Sequence, residues 1–597
     1  MAVERVSRPA PGLGRARPLR RLAEYGGFAP AMVLLGAFFF APLGLIVVYS
    51  FWQVHDYNVV SEWTLGNYGY FFSTPTYVRT LLSTLLVAAL ATAIAIGLAF
   101  PFAYWLVRHV APRWQKPLLV LVLVPFWTSY LLRVYSWISI LGEQGAINRV
   151  LRWTGVIDEP LSYFLYDRPA VVLVLVYLYF PFAALTLYAV LERFDWNQLR
   201  AATDLGASPL RAIRSVMLPQ VRVGIMTAVI FVFIPILGEY LAPQLVGGTR
   251  GVMIGNLITT FFTGAQYTRG AAAALLVVAV IVALLIVFRR SLDTEQAVHS
   301  RGTRMEATGL ELVSPFARLA SRALSGYAVA LYAFLFAPIA LLVLFSFNAS
   351  RFAGFPITGW TTRWYGDMFG NAAIHEALVT SLVIAAQVTV VSTIVGTAAA
   401  FPLVRSRLRF RGAARILVTL PVMVPGLLIG VSLLALFTSV LGMQLSMQTA
   451  AIGQAVFTTP FVILLVAARL EGFDVGLERA ASDLGAGTWR RLRHVVLPLT
   501  LPAIVAGALF AFTLSLDEFI ITLFLLGGHN TLPIYIYTQV KFGITPEVNA
   551  LATALLVASL AIGAIAFSLP GLVRRVVARR RRRRAADDQL AAQRATR

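Results

Sequence analysis

Apolar runs of about 20 residues or more recur along the whole chain. Each is long enough for a helix rising ~1.5 Å per residue to cross a ~30 Å hydrocarbon layer. A chain of 597 residues that is 58% hydrophobic and 13% charged cannot hide that surface in a water-soluble core. Backbone groups in lipid must be satisfied inside their own element, so the spans are expected to be helices. Twelve are read, at about 28–52, 81–106, 117–140, 170–191, 223–246 and 270–288, then 324–347, 377–404, 414–440, 449–469, 501–526 and 549–572. The basic N-terminal residues precede an apolar run too long for a signal-peptide core, so the first span is expected to be retained.

The formal charge of +23 is distributed, and its distribution sets the orientation. With the N-terminus inside, segments 1–27, 107–116, 192–222, 289–323, 405–415, 469–500 and 573–597 hold 40 of the 50 Lys and Arg residues. The reverse orientation puts those charges outside, against the bias of membrane proteins. Both termini are therefore expected in the cytoplasm. The run Arg579–Arg584 fits the same rule and suits a tail lying on anionic headgroups. No basic, aromatic-interleaved soluble segment is present to bind nucleic acid, and none is expected as a partner. There is no cysteine, hence no disulfide and no thiolate metal site. The six histidines are scattered and form no H-E-x-x-H run, so neither a metal nor a catalytic site is expected.

One polar segment occurs twice. Glu192, Asp195, Arg200, Ala201, Ala202, Asp204, Gly206 and Pro219 recur as Glu471, Asp474, Arg479, Ala480, Ala481, Asp483, Gly485 and Pro498, always 279 residues later. Both copies lie in segments assigned to the cytoplasm. The paired alanines favour a short helix that another surface can approach closely. Gly206 and Gly485 suit a left-handed turn into a second short helix, and Asp204 and Asp483 stand just before it. Each proline suits the start of the next membrane helix. The chain divides into a basic arm (1–27), a first half (28–288), a polar linker (289–323), a second half (324–572) and an Arg-rich tail (573–597). Each half repeats the same six-span plan facing the same way, a parallel repeat.

The duplicated segments resemble the "EAA" loops of ABC importer permeases, whose short helix docks on an ATP-hydrolysing subunit. Pro125-Phe126-Trp127-Thr128-Ser129-Tyr130-Leu131-Leu132-Arg133, Gly238-Glu239-Tyr240 and Met253-Ile254-Gly255-Asn256 resemble the first permease of spermidine/putrescine importers. Ser515-Leu516-Asp517-Glu518-Phe519-Ile520-Ile521-Thr522 and Thr531-Leu532-Pro533-Ile534-Tyr535-Ile536-Tyr537 resemble the second. The resemblance covers about residues 28–572. It implies the type I ABC importer permease fold, with both permeases fused. It also implies a bacterial inner-membrane location, two ATP-binding cassette subunits, and an external substrate-binding protein. One departure stands out. The family carries Glu immediately before the alanine pair, whereas Arg200 and Arg479 occupy that place here, and Glu478 is displaced by one position.

The chain has no G-x-x-x-x-G-K-[ST] phosphate loop. It is not expected to be an enzyme or to bind a cofactor; ATP and Mg belong to the partner. Ionisable residues inside spans are costly and usually face a bundle interior or a watery path. Glu239 falls in the fifth span, its mate Glu518 in the eleventh beside Asp517, and Arg133 in the third. Two readings stand. One is a cation route with these acids as waypoints and Tyr240, Phe519 and Trp127 adding cation–π contacts. The other is structural pairing, for example Arg133 with Glu239. The substrate expected is a polyamine or related organic cation. Ferric iron, thiamine or an aminophosphonate is the alternative within the class. An ion-driven twelve-span secondary carrier is the alternative outside it.

Overall fold

The structure is a computed structural model that describes residues 17–55, 58–161, 165–292, 315–351, 354–405, 411–542 and 545–561. Most of the linker, most of the basic arm, the end of the twelfth expected span and the Arg579–Arg584 tail lie outside the described residues.

Among the described residues, nine helices are long and apolar enough to cross a membrane. In the first half they are α1 (Gly26–Ser50), α2 (Pro75–His109), α5 (Arg168–Glu192), α7 (Pro209–Leu237) and α10 (Tyr267–Phe288). In the second half they are α11 (Ser321–Phe345), α12 (Ala372–Arg405), α15 (Met447–Glu471) and α17 (Thr488–Asp517).

The expected third and ninth spans are not single helices. Pro112–Leu123 (α3) and Tyr130–Leu141 (α4) are separated by a tight 3-10 turn at Val124–Trp127, and the stretches Pro112–Phe126 and Tyr130–Trp153 differ in direction by 83°. Pro125 lacks an amide hydrogen and resists regular continuation. Gly412–Met423 (α13) and Gly426–Ala435 (α14) are likewise separated, at Val424 and Pro425. The expected fifth and eleventh spans stop early. α7 ends at Leu237 and restarts as the short α8 (Leu241–Val246). α17 ends at Asp517 and restarts as α18 (Ile520–Leu525). Short helices follow each restart: the apolar α9 (Ile254–Thr263), then α19 (Leu532–Phe542) and the apolar α20 (Pro546–Ala561). Between α5 and α7 lies α6 (Trp196–Asp204), and between α15 and α17 lies α16 (Val475–Asp483).

The chain forms two compact units that do not follow its halves. One gathers residues up to Pro42 with Leu382–Val422 and Gln448–Leu516; the other gathers Leu43–Ser381, Met423–Met447 and the chain from Asp517. In the first unit small residues let helices meet closely, as expected where apolar burial alone does not drive helix association. A Cβ on Gly396 would stand 2.8 Å from Val462, and one on Gly507 3.2 Å from it, so α12, α15 and α17 converge on that valine. Gly27 of α1 meets the Ala398 carbonyl of α12. The first helix of the chain thus packs on the second half.

The second unit shows the reciprocal exchange. α11 opens the second half, yet it packs on helices of the first. Trp105 Nε1 donates to Ser325 Oγ at 3.1 Å, Tyr327 donates to the Leu98 carbonyl at 2.6 Å, and Tyr332 donates to the Leu118 carbonyl at 2.7 Å. The segments after the first helices repeat as well. Tyr68 donates to Ser50 Oγ at 2.8 Å, and Tyr365 and Ser346 share a hydrogen bond of the same length.

Candidate functional site

Two places combine charge with irregular backbone: the breaks below α8 and α18, and the paired polar loops.

Glu239 sits in the first break rather than inside a span. It is buried, and its carboxylate is fully occupied. Oε1 accepts from the amides of Tyr240 at 3.0 Å and Leu241 at 2.9 Å, and Oε2 accepts from the Tyr179 hydroxyl at 3.0 Å. A carboxylate on the first amides of a helix satisfies donors that have no intrahelical partner and meets the positive end of its dipole. Glu518 does the same for α18, both oxygens accepting from the Ile521 amide at 3.1 and 3.2 Å. Two residues 279 apart therefore perform one task, holding a half-helix open at the point where a membrane helix stops.

Arg133 does not pair with Glu239. Its Nη2 lies 3.8 Å from Asp517 Oδ2, and its guanidinium stands 4.3 Å from the centre of the Phe126 ring. Arg133 is 4% exposed and Asp517 28%. Asp517 also accepts from the Tyr130 amide with both oxygens, at 2.8 and 3.1 Å, so it caps the first turn of α4. The residue 279 positions earlier is Gly238, and it meets the start of the corresponding helix of the other half. A Cβ there would lie 2.1 Å from Pro425 Cβ, just before α14. The two halves thus meet in a reciprocal pair of contacts: an acid, an arginine and a helix amide on one side, and glycine against proline on the other. The apolar contact tolerates no side chain. Gly238→Val is expected to abolish folded protein and uptake, whereas Gly412→Ala, where nothing lies within 4 Å, leaves both unchanged. Detergent-solubilised yield by size-exclusion chromatography reads the difference.

Aromatic residues converge beside the breaks. Tyr240 and Tyr537 hydroxyls are 3.2 Å apart, and the Phe519 and Tyr537 rings are 5.0 Å apart between centroids. Lys541 Nζ stands 5.9 Å from the Tyr537 ring. Tyr537 carries no charge that marks it in the sequence, yet the structure brings it between Tyr240 and Phe519. The side chain of Trp127 lies outside the described residues.

The paired loops are built alike. α6 is capped by Asp195, which accepts from the Asn197 amide at 3.1 Å, and α16 by Asp474, which accepts from the Gly476 amide at 2.8 Å. Gly206 has φ +89° and Gly485 φ +79°. The amide after each glycine returns to the carbonyl five residues back, Ala207 to Ala202 and Ala486 to Ala481, both at 3.0 Å. That is the left-handed helix ending that glycine permits. Asp204 and Asp483 close their helices and are exposed. Pro219 and Pro498 lie where π-helical turns give way to the long part of α7 and α17.

Each loop grips the end of a long helix of its own half. Arg108, at the end of α2, stands 5.8 Å from the Trp196 ring. Arg405, which ends α12, stands 5.0 Å from the Phe473 ring and 3.0 Å from Glu478 Oε1. Glu478 is therefore engaged inside its own half, and Arg479 beside it is exposed.

The loops also carry a feature that charge counting overlooks. Leu205 and Leu484, the residues before the two glycines, are each 89% exposed. Their neighbours Leu210 and Trp489, again 279 apart, are exposed as well. Both loops thus expose an apolar pair at the same register, the kind of surface feature that marks interaction sites.

Comparison with known proteins identifies the plan. Residues 71–294 and 392–582 each match the family described as "Binding-protein-dependent transport system inner membrane component". The spermidine/putrescine transport system permease protein PotC of Escherichia coli (strain K12) is 41% identical over 236 residues, 39% of this chain and 89% of that protein. The putrescine transport system permease protein PotI of the same strain is 39% identical over 246 residues, covering 40% of this chain and 87% of that protein. The spermidine/putrescine permease protein PotB of that strain is 35% identical over 227 residues, 38% of this chain and 81% of that protein.

Proposed function

The chain belongs to the family of binding-protein-dependent transport system inner membrane components, and from that membership we propose that it is the complete membrane pathway of an ATP-driven polyamine importer. Two family domains in one chain make it a fusion of what its relatives carry as separate permeases. The observation that carries the reading is the duplicated loop: two copies in register, each presenting an exposed leucine beyond a short helix. A secondary carrier has no use for two such surfaces.

In this account each loop receives one ATP-binding cassette subunit, which holds the ATP and Mg. An external binding protein delivers substrate to the opposite side. Both termini are cytoplasmic, as the basic residues require. Closure of the ATPases moves the loops, and their grip on Arg108 and Arg405 carries that motion into α2 and α12. The substrate route runs past Tyr240, Phe519 and Tyr537, whose ring faces suit an ammonium group. Asp517, partly exposed beside Arg133, is the acid along it with room to meet substrate. Glu239 and Glu518 set the shape of the route through the helix starts they cap.

Substrate is tested by expression, with its ATPase and binding protein, in cells lacking polyamine uptake. Restored uptake of labelled spermidine or putrescine is expected. Restoration only for ferric iron, thiamine or an aminophosphonate would reassign the substrate.

The arginines at 200 and 479 call for acidic residues on the ATPase surface opposite them. Arg200→Glu combined with Arg479→Glu is expected to weaken assembly by at least about ten-fold, the scale of like charges meeting across an interface. Pull-down of the ATPase reads this; unchanged recovery and unchanged stimulated hydrolysis would contradict it.

A further inference from the structure

A groove of about 650 Å³ runs between α2, α5 and α11, and no residue of the breaks or loops lines it. Leu86, Leu90, Ile94 and Leu98 form one stripe along its α2 wall. At four-residue spacing these side chains share a helix face and extend over ~18 Å, close to the ~15 Å depth of one leaflet's hydrocarbon. Phe334 of α11 and Val176 of α5 complete the apolar walls. Tyr327 also lines the groove, and its hydroxyl is committed to the Leu98 carbonyl, so it presents an apolar ring.

Arg168 is the one charged residue lining the groove among the described residues. It begins α5, at the end of that helix away from the loop that follows Glu192. Its position is built. Its Nε donates to the Arg250 carbonyl at 3.0 Å, and the Tyr166 amide donates to the Val246 carbonyl at 2.9 Å. Gly248, with φ +55°, allows this close approach, since a Cβ there would strike the Tyr166 carbonyl at 2.6 Å. Arg250 is 80% exposed and lies 3.6 Å from Asp167. Two arginines against one aspartate leave net positive charge at the mouth.

We propose that this groove is a site for one anionic glycerophospholipid, its acyl chain along the Leu86–Leu98 stripe and its phosphate on Arg168. The leaflet is the one at the Arg168 end of α5, opposite the end that leads into the loop after Glu192. A guanidinium whose Nε is already fixed turns its Nη edge to a phosphate without further ordering. Basic positions between membrane helices select anionic headgroups. The site lies where the first helix of the second half packs on the first half, so the lipid fills a seam between the two repeats. The inference rests on the groove and its charge, not on the proposed substrate.

The test is phospholipid analysis by mass spectrometry of the full chain purified in mild detergent. Wild type is expected to retain about one phosphatidylglycerol per chain, and Arg168→Gln or Leu90→Trp to lower that about five-fold, on the scale of one arginine at a membrane surface. Ile286→Trp, at an exposed α10 position outside the groove, should retain the wild-type amount. Adding phosphatidylglycerol to delipidated protein in nanodiscs should raise the melting midpoint of wild type and Ile286→Trp but not of Leu90→Trp. Retention unchanged in Arg168→Gln, or phosphatidylethanolamine held as firmly as phosphatidylglycerol, would overturn the proposal.

Discussion

Leu205→Asp combined with Leu484→Asp is expected to reduce ATP-driven uptake by about a hundred-fold while membrane insertion and yield stay at wild-type levels. The two leucines are 89% exposed and contact little within the chain, so the fold does not depend on them. In the proposed importer each would be a buried anchor in an ATPase groove, where a few apolar residues dominate the binding energy. An aspartate there is desolvated without a partner, and two such losses of roughly 1.4 kcal/mol or more multiply to the stated factor. The single variants should each lose part of the activity, since one loop still docks. Uptake and ATPase pull-down are read together. Wild-type uptake with both aspartates in place would remove the loops from the coupling path.

The second large effect concerns Arg133. Removing one member of a buried ion pair leaves the other charge uncompensated, which typically costs about 3–5 kcal/mol. Arg133→Ala is expected near the lower figure, because Asp517 keeps some exposure and its bonds to the Tyr130 amide. Asp517→Asn retains the cap but loses the charge and should cost less. The double variant Arg133→Ala/Asp517→Asn should be more stable than Arg133→Ala alone, because the stranded carboxylate is gone. Melting midpoints in detergent test the order. If the double variant is the sum of the two singles, the pair is not coupled and the reciprocal contact between halves lacks its polar arm.

Much of this architecture was legible in residues. Apolar runs located the spans because lipid leaves a backbone no alternative to the helix. The 279-residue offset exposed the repeat, and glycine's tolerance of positive φ located the loop turns at Gly206 and Gly485. The helix breaks were harder. Hydropathy runs unbroken past Gly238-Glu239-Tyr240 and Asp517-Glu518-Phe519 because one or two acids scarcely lower a 20-residue average. A signal was present nonetheless: both acids stand within three residues of the amides they cap, as at any helix start. The pairing given as an example, Arg133 with Glu239, turns on the same point. Inside a span Glu239 would have oxygens to offer Arg133, but at the break they are consumed by the α8 amides and Tyr179, and Arg133 meets Asp517.

The exchange of first helices had no readable signal. α1 and α11 are apolar on most faces, and nothing in Gly27 or Tyr327 specifies which half supplies the facing helix. Leu205 and Leu484 were missed because an apolar residue beside a helix-ending glycine usually folds back on its own helix. Their exposure in both copies sets them apart from an ordinary cap.

In the proposed importer this one chain moves polyamine only when separate ATPases drive its two loops. The most direct measurement is uptake of labelled spermidine into proteoliposomes containing the chain, its ATPase subunits and its binding protein. Uptake is expected to require ATP, to require the binding protein, and to cease when the ATPase is omitted. Spermidine accumulation that persists without the ATPase, driven by an imposed ion gradient, would contradict it.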